Sequence, residues 1–157
     1  MSDWGWPGLI AHRCGGALAP ENTLAGLGIA ARLGCVAVEF DAMLSADGVP
    51  LLIHDETLER TTNGHGRVAR TPDAELFALD AGAGERIPRL DEALALCAEH
   101  GLWVNLEIKP ARGQDAGQHG LFGFHTVGRD ATQEIARSAF RRAFSLHIRT
   151  HRCESLR

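Results

Sequence analysis

Val36-Ala37-Val38-Glu39-Phe40-Asp41-Ala42-Met43-Leu44 reads as a β-strand, apolar throughout except for two acids spaced two apart. Side chains alternate between faces along a strand, so Glu39 and Asp41 point the same way. Ser45-Ala46-Asp47-Gly48 follows as a turn closed by Asp-Gly, and Pro50 to His54 returns as a further extended run. Upstream, Leu9-Ile10-Ala11-His12-Arg13 is a short apolar run ending in polar residues before Gly15 and Gly16, which predicts a buried strand feeding a loop. Pro20-Glu21-Asn22-Thr23 opens a helix expected to reach about Leu33, with Asn22 or Thr23 as N-cap and Gly34 as stop.

From Asp55 to about Arg89 the periodicity breaks into turns and short Ala- and Gly-rich pieces, an excursion from the main fold. Leu90, Ala93, Leu94 and Cys97 then recur at helical spacing, and Gly101 ends that helix. Leu102 to Lys109 is another strand, closed by Pro110. The order is strand, helix, strand with hairpin, insertion, helix, strand. Such alternation predicts a parallel α/β sheet or barrel. Beyond Pro110 no further strand is evident, although Thr132 to Phe144 has helical character.

The whole chain has 157 residues and is 45% hydrophobic, the size and composition of one ordinary domain. No apolar run approaches the ~20 residues of a membrane span, and the N-terminus lacks the basic and apolar regions of a secretory signal. Cys14, Cys35, Cys97 and Cys153 are scattered, which fits a reducing cytoplasm better than zinc or a disulfide framework. The net charge of −4 conceals an asymmetry. Residues 1–110 hold 8 basic residues against 16 acidic ones, a balance of −8, while residues 111–157 hold 8 against 4, a balance of +4. Lys109 is the sole lysine, so every basic residue of the tail is Arg.

Three strand ends finish in ionisable residues: His12-Arg13, Glu39-x-Asp41 and Glu107-x-Lys109. In a parallel α/β fold the C-terminal strand ends open onto one surface, where active sites lie. Three carboxylates meeting there repel unless a cation joins them, and hard oxygen ligands favour Mg²⁺ or Ca²⁺. A turn at residues 45–48 makes paired residue numbers sum to about 93, so His54 is expected opposite Glu39, on the face of the cluster that His12 also meets. Two imidazoles to move protons, one cation site, and the fixed charges of Arg13 and Lys109 are the ingredients of phosphodiester cleavage. Each piece alone has a plainer meaning: a core histidine, the solvent face of an edge strand, a surface ion pair, a turn. Cys14 has no base placed to activate it and reads as an incidental thiol.

Taken together, the ordered segments resemble the glycerophosphodiester phosphodiesterase family. They are Ala11-His12-Arg13, Ala19-Pro20-Glu21-Asn22-Thr23, Glu39-Phe40-Asp41, Asp47-Gly48-Val49-Pro50, Ile53-His54-Asp55, Thr57 to Gly64, Ile87-Pro88-Arg89-Leu90 and Glu107-Ile108-Lys109. The resemblance covers residues 9–110 and implies a TIM-type (β/α)8 barrel of the phospholipase C-like phosphodiesterase kind, with a family insertion at about 55–89. It further implies metal ligands at Glu39, Asp41 and Glu107, an acid and a base at His12 and His54, phosphate contacts at Arg13 and Lys109, and site-shaping roles for Glu21 and Asn22. The implied reaction takes a glycerophosphodiester and water to sn-glycerol 3-phosphate and an alcohol, with one divalent cation.

This chain departs from the family in two ways. Cys14 stands where the family has Gly, a position at which a side chain would crowd the phosphate or demand another backbone conformation. An eight-stranded barrel also needs about 250 residues, so an incomplete barrel is expected, with an unpaired edge at the strand ending in Lys109 through which chains self-associate. Residues 1–116 form the family part. Residues 117–157 form an Arg-rich tail whose composition fits a shifted reading frame or disorder. The alternatives to the enzyme are an inactive fragment and a nucleic-acid binder acting through that tail, for which no independent motif is present.

Overall fold

The computed structural model describes residues 7–109 and 125–127. The expectations for residues 117–157, including a helix at 132–144, otherwise lie outside the described residues.

Strand β1 (Ala37–Leu44) is buried along nearly its whole length, as befits a central strand covered on both faces. It pairs antiparallel with β2 (Pro50–Leu52) and parallel with β3 (Trp103–Ile108), the latter in the register Glu39↔Asn105 and Asp41↔Glu107. Strand β4 (His125–Val127) completes the order β2-β1-β3-β4. Helix α1 (Leu24–Arg32) precedes β1, and the insertion carries the short helix α2 (Asp73–Leu76). Helix α3 (Leu90–Glu99) lies on the crossover between the parallel strands β1 and β3. The result is mixed α/β architecture of the TIM-barrel type, left as an open sheet among the described residues.

The sequence directs this arrangement locally. Thr23 caps α1, its Oγ1 accepting from Gly26 N–H at 3.2 Å, and Gly34 ends the helix region at φ +78°. At α3 the Arg89 N–H donates to Glu92 Oε2 at 2.9 Å, and Gly101 turns the chain at φ +62°. The face of α3 made by Leu90, Ala93, Leu94 and Cys97 packs against Val38, Phe40 and Ala42 of β1 and Val104, Leu106 and Ile108 of β3, together with Leu27 and Ala30 of α1. The opposite face of the same strands carries Glu39, Asp41, Asn105 and Glu107. Alternation thus sends grease to the helices and carboxylates to the other side. A second core joins Met43, Leu51 and Ile53 of the hairpin region to Leu58, Val68, Leu76, Ala81 and Ile87, so the insertion is packed onto the hairpin.

Three expectations are corrected. The strand predicted at Leu9–Arg13 contracts to one parallel bridge, Ala11↔Val38, and Leu9 is 74% exposed. Among the described residues the run pairs only with β1 through Ala11, and Leu9 has no sheet neighbour there to bury it. The edge of β3 is not open throughout, because β4 pairs antiparallel with Val104–Leu106. Three residues are too few to show alternation in sequence. The hairpin register is also one residue longer than expected. Leu44 pairs with Pro50 and Ala42 with Leu52, so Ser45–Val49 forms the loop. Ser45 N–H donates to Val49 O, and Gly48 at φ +80° absorbs the additional residue. Ile53 therefore faces Asp41, with Ile53 N–H donating to Asp41 O at 3.2 Å, and His54 lies past the end of β2, freed from strand alternation.

Candidate active site

The loop after Ala11 is wound tightly over the end of β1. Arg13 (φ 50°), Cys14 (φ 73°) and Asn22 (φ 57°) all occupy the left-handed region. Side chains other than Asn adopt it at a cost. Hydrogen bonds hold this conformation: Cys14 N–H donates to Glu39 O at 2.8 Å, Asn22 N–H to Arg13 O at 3.0 Å, and Gly16 N–H to His12 O at 2.9 Å. The loop also needs Gly15, because a Cβ there would lie 2.7 Å from Gly26 Cα in α1. The side chain of Cys14 turns into the core with Leu27 and Cys97 rather than toward the carboxylates. Of the two consequences expected of the Cys14 side chain, the altered backbone is the one seen, at φ 73°. Burial pushes its thiol well above the ordinary range, with the nearby Cys97 adding to the shift, so it is no nucleophile.

Glu39, Asp41 and Glu107 each offer one oxygen within 4.8 Å of the others. The parallel register Asp41↔Glu107 brings this about, with Glu39 two residues before Asp41 on the same face. Burial pushes the Glu39 carboxyl up, and its neighbours Asp41 and Glu107 add to this. The Arg13 N–H, donating to Glu39 Oε2 at 2.8 Å, and the His12 ring pull the other way. Asn22 grips Asp41 with both ends of its amide: Nδ2 donates to Asp41 Oδ2 at 3.0 Å, and Asp41 N–H donates to Oδ1 at 3.1 Å. Lys109 Nζ lies 3.2 Å from Asp41 Oδ1 and 3.2 Å from Glu107 Oε1. The set offers hard anionic oxygens in a half-buried place and fits a divalent cation of the Mg²⁺ or Ca²⁺ kind.

His12 Nε2 stands 3.8 Å from Glu39 Oε2, and its side chain is 70% exposed, open to a substrate. His54 shares a cleft with Glu21, Asn22, Thr61 and Thr62, so it reaches the cluster's surroundings on the Asn22 side rather than by facing Glu39 across the hairpin. Arg13 Nη1 donates to both oxygens of Glu21, at 3.0 and 3.1 Å. Its Nε is 3.9 Å from Asp41 Oδ2 and, though buried, has no hydrogen-bond partner among the described residues.

Two site residues carried no role in the sequence reading. Asp55 Oδ1 lies 2.6 Å from His54 Nδ1, and Arg60 bonds both Asp55 and Glu21. Asp55 is held well below the usual carboxylate range, chiefly by Arg60, and Glu21 is lowered by the same guanidinium. Adjacency of Asp55 to His54 was the available signal. For Arg60 the signal was its place in the segment Thr57 to Gly64, which does not by itself point to Glu21, 39 residues away.

Comparison with known proteins agrees with this geometry. A glycerophosphodiester phosphodiesterase from Caldanaerobacter subterraneus subsp. tengcongensis is 44% identical over 108 residues, which is 64% of this chain and 44% of that one. Glycerophosphodiester phosphodiesterase 1 of Bos taurus is 41% identical over 109 residues, 64% of this chain and 33% of that one. Among solved structures, an Oleispira antarctica phosphodiesterase in complex with the product sn-glycerol-3-phosphate superposes with a TM-score of 0.66 at 47% identity, covering 68% of this chain and 46% of the other. The chain thus spans between a third and just under half the length of these relatives. Residues 12–136 match one family description, which extends past the stretch where its motifs are readable by eye, and this chain belongs to that family, the Glycerophosphoryl diester phosphodiesterase family.

Proposed function

We propose that the site hydrolyses glycerophosphodiesters to sn-glycerol 3-phosphate and an alcohol, using one divalent cation, Mg²⁺ or Ca²⁺, held by Glu39, Asp41 and Glu107. The observation that carries this reading is the convergence of those three carboxylates within 4.8 Å at one end of a parallel strand pair. When bound, the cation would stabilise negative charge on the phosphoryl oxygens. The protein's own groups do the rest. Arg13 and Lys109, whose positive charges stand beside the carboxylates, would bind phosphoryl oxygens and hold the ester in line. Of His12 and His54, one removes a proton from the attacking oxygen and the other donates one to the departing alkoxide. Glu21 holds Arg13, and Asn22 holds Asp41. The free thiols of Cys14 and Cys97, both buried, support a reducing, cytoplasmic setting.

The experiment is calorimetric cation binding by the full chain, followed by release of sn-glycerol 3-phosphate from glycerophosphocholine. Glu39→Gln, Asp41→Asn and Glu107→Gln are each expected to weaken Mg²⁺ or Ca²⁺ binding by more than the roughly 10–100-fold that losing an outer-shell partner costs. His12→Ala and His54→Ala are expected to retain cation binding while slowing turnover by ~10²–10⁴-fold. Cation binding without any turnover in the unaltered chain would favour the reading as an inactive fragment.

A further inference from the structure

The proposed chemistry leaves Arg60 without a role, yet Arg60 grips the two carboxylates that stand beside the histidine and the arginine of the site. One edge of its guanidinium faces Asp55, with Nε on Oδ2 at 2.5 Å and Nη2 on Oδ1 at 2.9 Å. The other faces Glu21, with Nη1 on Oε2 at 2.9 Å and Nη2 on Oε1 at 2.7 Å. Both edges of the planar fork are therefore used in bidentate fashion, an arrangement that an ammonium cannot reproduce. The backbone that carries Arg60 is itself fixed. Leu58 is fully buried and donates its N–H to Gly66 O at 3.0 Å, and both the N–H and the hydroxyl of Thr62 donate to Leu58 O.

We propose that Arg60 is a positioning residue for the proposed reaction: its guanidinium locks the Asp55 carboxylate, and Asp55 thereby holds the His54 proton on Nδ1 and leaves Nε2 free to accept one. This rests on reading His54 as a proton-transfer group. The argument runs through the 2.6 Å contact of His54 Nδ1 with Asp55 Oδ1. A carboxylate clasped by a guanidinium stays ionised and can only accept, so the imidazole must donate from Nδ1. Asp55, held well below its usual range with Arg60 as the largest cause, agrees with this. The insertion is thus more than a packed excursion. It supplies a side chain that joins the His54 side of the site to the Arg13 side, through Asp55 and Glu21.

Long-range ¹H–¹⁵N spectra of the full chain, taken where His54 is neutral and assigned by loss of its signals in His54→Ala, read which ring nitrogen holds the proton. The unaltered chain is expected to show the Nδ1–H form alone. Arg60→Met and Arg60→Gln are each expected to yield a mixture with the Nε2–H form, as is Asp55→Ala. Arg60 is half-exposed and its side-chain hydrogen bonds go to two carboxylates and nothing else described, so these variants should keep the core. Arg60→Lys restores charge without the fork and is expected to behave like Arg60→Met. In turnover, Arg60→Met is expected to lower kcat by roughly 10–100-fold, the scale of an outer-shell partner, with KM unchanged. An unchanged Nδ1–H population in both Arg60→Met and Arg60→Gln, or full recovery by Arg60→Lys, would overturn the proposal. If the unaltered chain turns nothing over, the proposed reaction fails, while the tautomer comparison still decides the part played by Arg60.

Discussion

Asn22 combines two features that few residues tolerate together. It sits at φ 57° and is only 3% exposed, with both ends of its amide committed to Asp41. Asn is among the few residues besides Gly that visit this backbone region readily, and its short amide can bond nearby groups from there. Asn22→Ala removes both bonds, leaves the Asp41 N–H buried without its partner and adds left-handed strain. It is expected to cost about 2–4 kcal/mol in urea unfolding. Asn22→Gly relieves the strain but not the lost bonds and should fall between the two. Equal stability of all three would mean that Asn22 does not shape the site.

At the scale of elements, the contact between the loop after Ala11 and helix α1 is glycine on glycine. A Cβ at Gly15 would meet Gly26 Cα at 2.7 Å, and one at Gly26 would meet Gly15 N at 2.9 Å, both immovable backbone. Gly26→Ala is therefore expected to destabilise by about 1–3 kcal/mol, since overpacking must shift the loop or the helix. Gly28→Ala, in the same helix, meets only the end of the Arg32 side chain at 3.4 Å and is expected to stabilise by about 0.4–1 kcal/mol. Thermal melts of the two variants should move in opposite directions. Neither contact is legible in sequence, where Gly15, Gly26 and Gly28 look alike. What could be read was whatever has a period or a cap. β1, α1, the buried stripe of α3 and the shared face of Glu39 and Asp41 all follow from spacing alone, while the structure selects Thr23 over Asn22 as the cap of α1. The register of the hairpin did not, because a turn absorbing five residues and one absorbing four share the same Asp-Gly signature. His54, expected opposite Glu39, instead lines a cleft with Glu21 and Asn22. Arg60 lies in the segment Thr57 to Gly64, but nothing local ties it to Glu21, 39 residues away.

For the molecule as a whole, Asp55 and Glu21 on one side and Glu39 on the other act on stability with opposite sign. Asp55 and Glu21 have folded-state pKa values below their unfolded ones, so the unfolded chain binds more protons and stability rises with pH through the carboxylate range. Their contribution is complete above about pH 5 and is lost as pH falls. Glu39 is raised, so its contribution runs the other way and fades as pH climbs past the unfolded value. Arg60→Met should consequently flatten the acid limb of stability between about pH 5 and pH 2, read as urea midpoints, while leaving the Glu39 effect in place. A limb as steep as that of the unaltered chain would show that the Arg60 clasp does not hold Asp55 and Glu21 down. The buried thiol of Cys14 also makes the site loop report on its own motion. An alkylating reagent can reach Cys14 only when the turn carrying His12 and Arg13 lifts from α1 and β1, and Cys97 only when α3 leaves the sheet. Among the three described thiols Cys35, partly exposed, should be labelled first and calibrate the reagent. Because the Arg13 N–H holds Glu39, Mg²⁺ or Ca²⁺ should slow labelling of Cys14 and leave Cys97 unaffected, a protection pattern followed by mass spectrometry that reports occupancy of the carboxylates with no substrate present.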